Sequence, residues 1–190
     1  MKCTWIAVVL FAVAAEAAAS TSTFYGTTGV DAIVVGRASD YGFFGYVACI
    51  NGEWVWGGSV TGSSDTVTVY GDAGSDTITV RNTDDIYNCG GYGRWLYRMD
   101  HSYACPTINV YGGDGGDRIY GAQCVEYIYG EAGADYIFSG GGNDYVSGGT
   151  ENDCIEDTSL ASLVCGSGTD RYTDDVAWKS CETPVAYCIM

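Results

Sequence analysis

The chain has 190 residues, with 24 acidic and 8 basic side chains and a net charge of −16. That balance excludes a surface built to neutralise nucleic-acid phosphates. It also argues against binding to anionic lipid headgroups, unless a divalent cation bridges them.

Residues 1–19 read as a secretory signal. Lys2 gives a short positive region, Trp5–Ala15 an apolar one, and Ala17-Ala18-Ala19 a small-residue cleavage site, with cleavage after Ala19 or Ala17. No later apolar run is long enough for a transmembrane segment. The mature chain, residues 20–190, has the length of a single domain and keeps the same net charge, because the signal carries one acid and one base. Within it, residues 26–34 (GTTGVDAIV) place Asp31 sixth and Ile33 eighth in a nine-residue unit. Residues 35–62 are an aromatic-rich insertion expected to form a hairpin around Asn51-Gly52, with Trp54 and Trp56 on one face. Residues 63–85 repeat the unit in longer coils, with Gly71, Gly74, Asp76 and Ile78 in register. Residues 86–106 are a second insertion, carrying Tyr87, Tyr92, Trp95, Tyr97 and Tyr103.

Residues 107–157 hold the regular array. From Gly112 the units GGDGGDRIY, GAQCVEYIY, GEAGADYIF, SGGGNDYVS and GGTENDCIE run without a gap. Position six is Asp117, Glu126, Asp135, Asp144 and Asp153, and position eight is Ile119, Ile128, Ile137, Val146 and Ile155. Three residues around each aliphatic make a short strand, and the six Gly-rich residues make a turn that exploits positive φ. Two units complete a coil of 18 residues. Stacked coils then form two parallel sheets with the aliphatics inside, which predicts an all-β fold, a parallel β-roll or β-solenoid. Asp117 lies over Asp135 and Asp135 over Asp153, while Glu126 and Asp144 stack on the opposite side. Ten acids against one base, Arg118, in residues 112–157 would repel one another without a counter-ion. Ca²⁺ suits a site built of carboxylates and turn carbonyls, because it takes six to eight oxygens in flexible geometry.

The pattern G-G-x-G-x-D-x-U-x resembles the calcium-binding nonapeptide of the RTX, or haemolysin-type, repeat proteins. GGDGGDRIY matches every fixed position, and GAQCVEYIY departs most, with Cys124 and Glu126 replacing Gly and Asp. The resemblance implies a parallel β-roll that folds on binding Ca²⁺, with Asp31, Asp76, Asp117, Glu126, Asp135, Asp144 and Asp153 as metal ligands. The chain departs from typical members, which are nearly free of cysteine and leave the cell by a C-terminal signal. The fold is therefore implied and a toxin is not.

Residues 158–190 read as a C-terminal cap containing a degenerate copy, CGSGTDRYT, with Gly168 and Asp170. Eight cysteines follow the signal, an even number that suits disulfides in a secreted protein. Proximity in sequence favours Cys89–Cys105, Cys154–Cys165 and Cys181–Cys188, leaving Cys49 with Cys124. A zinc site lacks paired C-x₂-C spacing and has only His101 to add.

The outward positions suggest the alternatives to a purely structural Ca²⁺ role. Tyr70, Tyr111, Tyr120 and Tyr129, with Phe138, occupy position nine, and Tyr127, Tyr136 and Tyr145 position seven. Cross-strand stacking explains them, and a contiguous aromatic surface would suit a carbohydrate. Thr66-Val67-Thr68, Thr77-Ile78-Thr79 and Thr107-Ile108-Asn109 would stack into a two-column ladder similar to those of ice-binding solenoids. A carbohydrate-active enzyme is the second alternative, because an acidic coil offers many carboxylate pairs. No G-x-S-x-G occurs and His101 stands alone, so the chain is read as a secreted calcium-binding protein and not an enzyme.

Overall fold

A computed structural model describes residues 19–40, 43–59, 64–99, 105–156, 162–173, 179–181 and 183–184. In chain order the first strands are β1 (Thr21–Tyr25), β2 (Ala32–Asp40), β3 (Phe43–Ile50), β4 (Glu53–Ser59), β5 (Thr66–Ala73) and β6 (Thr77–Val80). Then follow β7 (Asp85–Cys89), β8 (Tyr92–Tyr97), β9 (Thr107–Asp114), β10 (Arg118–Tyr120), β11 (Glu126–Ala132) and β12 (Tyr136–Phe138). The last are β13 (Tyr145–Thr150), β14 (Cys154–Glu156), β15 (Ser162–Ser167), β16 (Arg171–Tyr172), β17 (Lys179–Ser180) and β18 (Thr183–Pro184). Among the described residues there is no helix.

From β9 onward, successive strands alternate between two sheets. The first sheet has the order β1-β5-β9-β11-β13-β15-β17, parallel throughout. The second runs β18-β16-β14-β12-β10-β6-β2 in parallel and continues through antiparallel β3 and β4. The period sets the register: Ile119 pairs with Ile137, and Ile137 with Ile155, each one coil of 18 residues later. Facing them from the first sheet are Val69, Val110, Ile128, Val146 and Leu163, all buried. Each such aliphatic contributes roughly 1.5–3 kcal/mol when fully buried.

The two sheets are unequal. Strands β10, β12 and β14 have the three residues that the pattern predicts. In the first sheet β9 and β11 continue past the aliphatic into the turn, so that Glu131 pairs with Gly113 and Gly149. The turns on that side are thus held to one another backbone to backbone. The outward tyrosines follow the same register. Tyr25, Tyr70, Tyr111 and Tyr129 stack ring on ring at 5.1, 4.9 and 4.9 Å, and Tyr127 stacks on Tyr145 at 4.9 Å.

The threonine ladder does not form as expected. Thr77–Thr79 lie half a coil beyond Thr66–Thr68 and enter the second sheet, beside Arg118–Tyr120, while Thr66–Thr68 pair with Thr107–Asn109 in the first. The rung that joins the latter is Thr21–Thr23, and Thr68 between them is buried.

Both insertions are hairpins that extend the second sheet. Asn51 and Gly52, at φ 49° and 86°, make the tight turn between β3 and β4. β4 packs under β1, where a Cβ on Gly57 would lie 2.5 Å from the Phe24 ring. β8 pairs with β7 and with the far end of β2, and Trp54 meets Tyr87 edge-on between the hairpins.

The disulfides differ from sequence proximity: the pairs are Cys49–Cys89, Cys105–Cys124 and Cys165–Cys181, and Cys154 is also disulfide-bonded. Separations of 19 and 16 residues are close to one coil, so these cysteines sit on adjacent rungs. Cys49–Cys89 ties one hairpin to the other. In a stacked fold the spatial neighbour is one coil away, not a few residues away.

Candidate metal centre

Six turns of the form G-x-x-G-x-D, or close variants, connect the first sheet to the second. They end in Asp31, Asp76, Asp117, Asp135, Asp153 and Asp170, and all six aspartates are buried. The N–H of each Asp donates to Oδ1 of the next, from Asp31 to Asp76 at 2.8 Å, Asp76 to Asp117 at 2.7 Å and Asp117 to Asp135 at 2.8 Å. The chain continues from Asp135 to Asp153 and Asp153 to Asp170, both at 2.9 Å. The carboxylates therefore form one continuous row along the stack.

The second carboxylate oxygen is different. Oδ2 of Asp76, Asp117, Asp135 and Asp153 is buried and receives no donor. The first glycine of each turn shows what these oxygens face. A Cβ on Gly71 would lie 2.2 Å from the Gly112 carbonyl oxygen and 2.6 Å from Asp76 Oδ2. On Gly130 it would lie 2.3 Å from both the Gly148 oxygen and Asp135 Oδ2. Gly26, Gly112 and Gly148 repeat the arrangement with Asp31, Asp117 and Asp153, so a carboxylate and a carbonyl oxygen converge five times along the row on space that only glycine leaves open.

The electrostatics follow from burial beside like charge. Burial pushes the Asp135 carboxyl up to about 8, against the hydrogen bond from Asp117, and Asp153, Asp117 and Glu151 push it further. Asp153 rises to about 7 through burial, with Asp170 and Glu151 adding to it. Asp117 rises to about 6 and Asp76 also rises, burial leading in both. A row of acids so perturbed calls for a cation when ionised. Asp31 is the exception. Burial pushes it up, but hydrogen bonds from Thr27 and Asn51 outweigh that and hold it below the ordinary value.

On the opposite side, the Glu126 N–H donates to Asp144 Oδ1 at 2.9 Å, and Glu126 Oε1 accepts the Ala122 N–H at 3.0 Å. Both side chains are fully buried. A Cβ on Gly121 would meet the Ser139 oxygen at 2.1 Å and Glu126 Oε2 at 2.7 Å, the same cradle again. The row is short because the neighbour of Glu126 on β9 is Ile108.

The structure thus brings Asp31, Asp76, Asp117, Asp135 and Asp153 into one row and places Glu126 with Asp144 in another. Asp170 completes the long row. Its sequence signal is the degenerate copy at 165–173, whose spacing of 17 residues from Asp153 breaks the period.

The donors are hard oxygens. Among the described residues no three His, Cys, Asp or Glu side chains gather as a metal site, so carbonyls would have to complete any shell. That set suits Ca²⁺ and not zinc, which takes nitrogen and thiolate. Cys49, Cys89, Cys105, Cys124, Cys154, Cys165 and Cys181 are committed to disulfides. His101 lies outside the described residues. The family model described as RTX calcium-binding nonapeptide repeat (4 copies) matches the chain over residues 55–88, 109–123 and 125–153. No curated protein and no solved structure matches it.

Proposed function

We propose that the RTX calcium-binding repeats of this chain form a secreted β-roll in which Ca²⁺, held between stacked Gly-Asp turns, stabilises the fold. The observation that carries this reading is the run of four buried Oδ2 atoms, on Asp76, Asp117, Asp135 and Asp153, each beside a glycine or cysteine carbonyl and none with a donor. A buried carboxylate oxygen without a partner costs several kcal/mol unless it is protonated or meets a cation. Ca²⁺ would supply the missing charge and accept both oxygens. Asp76, Asp117, Asp135 and Asp153 would hold it in the long row, and Glu126 with Asp144 in the short one. The chain's own part is to keep the carboxylates aligned by the Asp N–H ladder and to keep glycine at the head of the turns that end in Asp76, Asp117, Glu126, Asp135 and Asp153.

Extracellular calcium is plentiful, so sites with dissociation constants of ~10⁻⁴–10⁻³ M are useful there. The disulfides fit the same compartment. A ligand that binds only the folded state stabilises it by mass action, about 1.4 kcal/mol per site at ten times its dissociation constant. Thermal unfolding followed by circular dichroism, with calcium and with chelator, tests the reading. Chelator should lower the midpoint in the disulfide-bonded protein and lower it further after reduction. An unchanged midpoint in both forms contradicts it.

A further inference from the structure

We propose that Asn51 is an end-plug of the aspartate row: its amide takes the place of a cation on Asp31, so that the row of ions begins at Asp76. The inference rests on the calcium reading above and concerns where that row stops.

Both carboxylate oxygens of Asp31 receive donors. Oδ1 accepts from the Asn51 amide and, at 3.1 Å, from the Thr27 hydroxyl, and Oδ2 accepts the Thr27 N–H. Asp76, Asp117, Asp135 and Asp153 each accept one N–H on Oδ1 and leave Oδ2 without a donor. Asn51 is held in place for this role. Its N–H donates to the Ala32 carbonyl at 3.1 Å, and its Oδ1 accepts the Ala32 N–H at 3.0 Å. The side-chain amide therefore bridges the end of the first turn to the start of β2.

The backbone of the first turn differs in the same sense. Its second and fourth positions are Thr27 and Gly29, and neither has positive φ. The corresponding residues of the next three turns do: Asp72 and Gly74, Gly113 and Gly115, Glu131 and Gly133. A β-branched threonine resists that conformation, and here its N–H meets its own turn's aspartate instead. An amide both donates and accepts, which a carboxylate at position 51 could not do. Asparagine and aspartate are equally at home at the first position of an Asn-Gly turn. Asn51→Asp thus changes the plug and spares the hairpin, setting a second carboxylate against Asp31.

The test counts calcium ions bound per folded chain, by equilibrium dialysis with metal analysis. Wild type, Asp31→Asn, Asp76→Asn and Asn51→Asp are compared, and circular dichroism checks each fold. Asp31→Asn should bind as many ions as wild type, Asp76→Asn at least one fewer, and Asn51→Asp one more. Loss of an ion in Asp31→Asn overturns the proposal, as does a folded Asn51→Asp with the wild-type count. If Asn51→Asp does not fold, the comparison of Asp31→Asn with Asp76→Asn decides alone. A wild type that binds no calcium refutes the calcium reading itself, which is a distinct result.

Discussion

Replacing Asp135 by Asn should change sign with calcium. In calcium-free protein the Asp135 carboxyl is pushed from 3.8 up to about 8. At pH 7 that shift corresponds to a destabilisation on the order of 4 kcal/mol, since each unit is about 1.4 kcal/mol. The isosteric amide is neutral without taking up a proton and retains an oxygen for the Asp117 N–H, now 2.8 Å from Asp135 Oδ1. Its NH₂ can occupy the place of Oδ2, close to the Gly148 carbonyl. Asp135→Asn should therefore raise stability in chelator by a large part of that amount. In saturating calcium the same change removes a charged ligand from the gaps toward Asp117 and Asp153, costing roughly 1–3 kcal/mol at each. Urea unfolding of both proteins in both conditions measures the four free energies. If the substitution shifts stability in the same direction with and without calcium, the aspartate row does not hold the metal.

The pH dependence should also invert. Raised carboxyls at Asp117, Asp153 and Asp135, about 6, 7 and 8, favour the calcium-free fold fully below 3.8, and that contribution is lost as pH rises through 8. Calcium-free protein should thus melt higher at pH 5 than at pH 8, calcium-loaded protein lower at pH 5, and binding at pH 7 should release protons measurable by calorimetry in buffers of different ionisation enthalpy. Gly130→Ala should cost several degrees in melting temperature and weaken calcium binding, because its Cβ would meet Asp135 Oδ2 and the Gly148 oxygen at 2.3 Å; Gly29→Ala, whose Cβ meets only Thr27 Oγ1 at 3.8 Å, should cost far less. Tyr111→Ala breaks the middle of the four-ring stack and should destabilise the protein by about 1–3 kcal/mol in denaturant unfolding, with calcium stoichiometry unchanged.

The stacking of Asp117, Asp135 and Asp153, and the separate pair Glu126 and Asp144, were legible because an unbroken nine-residue period leaves one possible register. Where insertions interrupt the period, the register is hidden: Asp31 and Asp76 are 45 residues apart and Asp76 and Asp117 are 41, yet each pair is adjacent in the row. The same half-coil bookkeeping misplaces Thr77–Thr79, which belong to the other sheet. Asn51-Gly52 announces its turn through backbone preference, but nothing local says that the Asn51 side chain reaches Asp31. Disulfide partners depend on which rung lies above which, so Cys105 pairs with Cys124 and not with Cys89.

Anomalous scattering from a crystal grown in calcium would locate the bound ions. Calcium held between the stacked turns predicts anomalous peaks beside Oδ2 of Asp76, Asp117, Asp135 and Asp153, with backbone carbonyls of the adjoining turns as further ligands. A well-ordered crystal without peaks along that row, its carboxylates meeting only one another and the backbone, would contradict it.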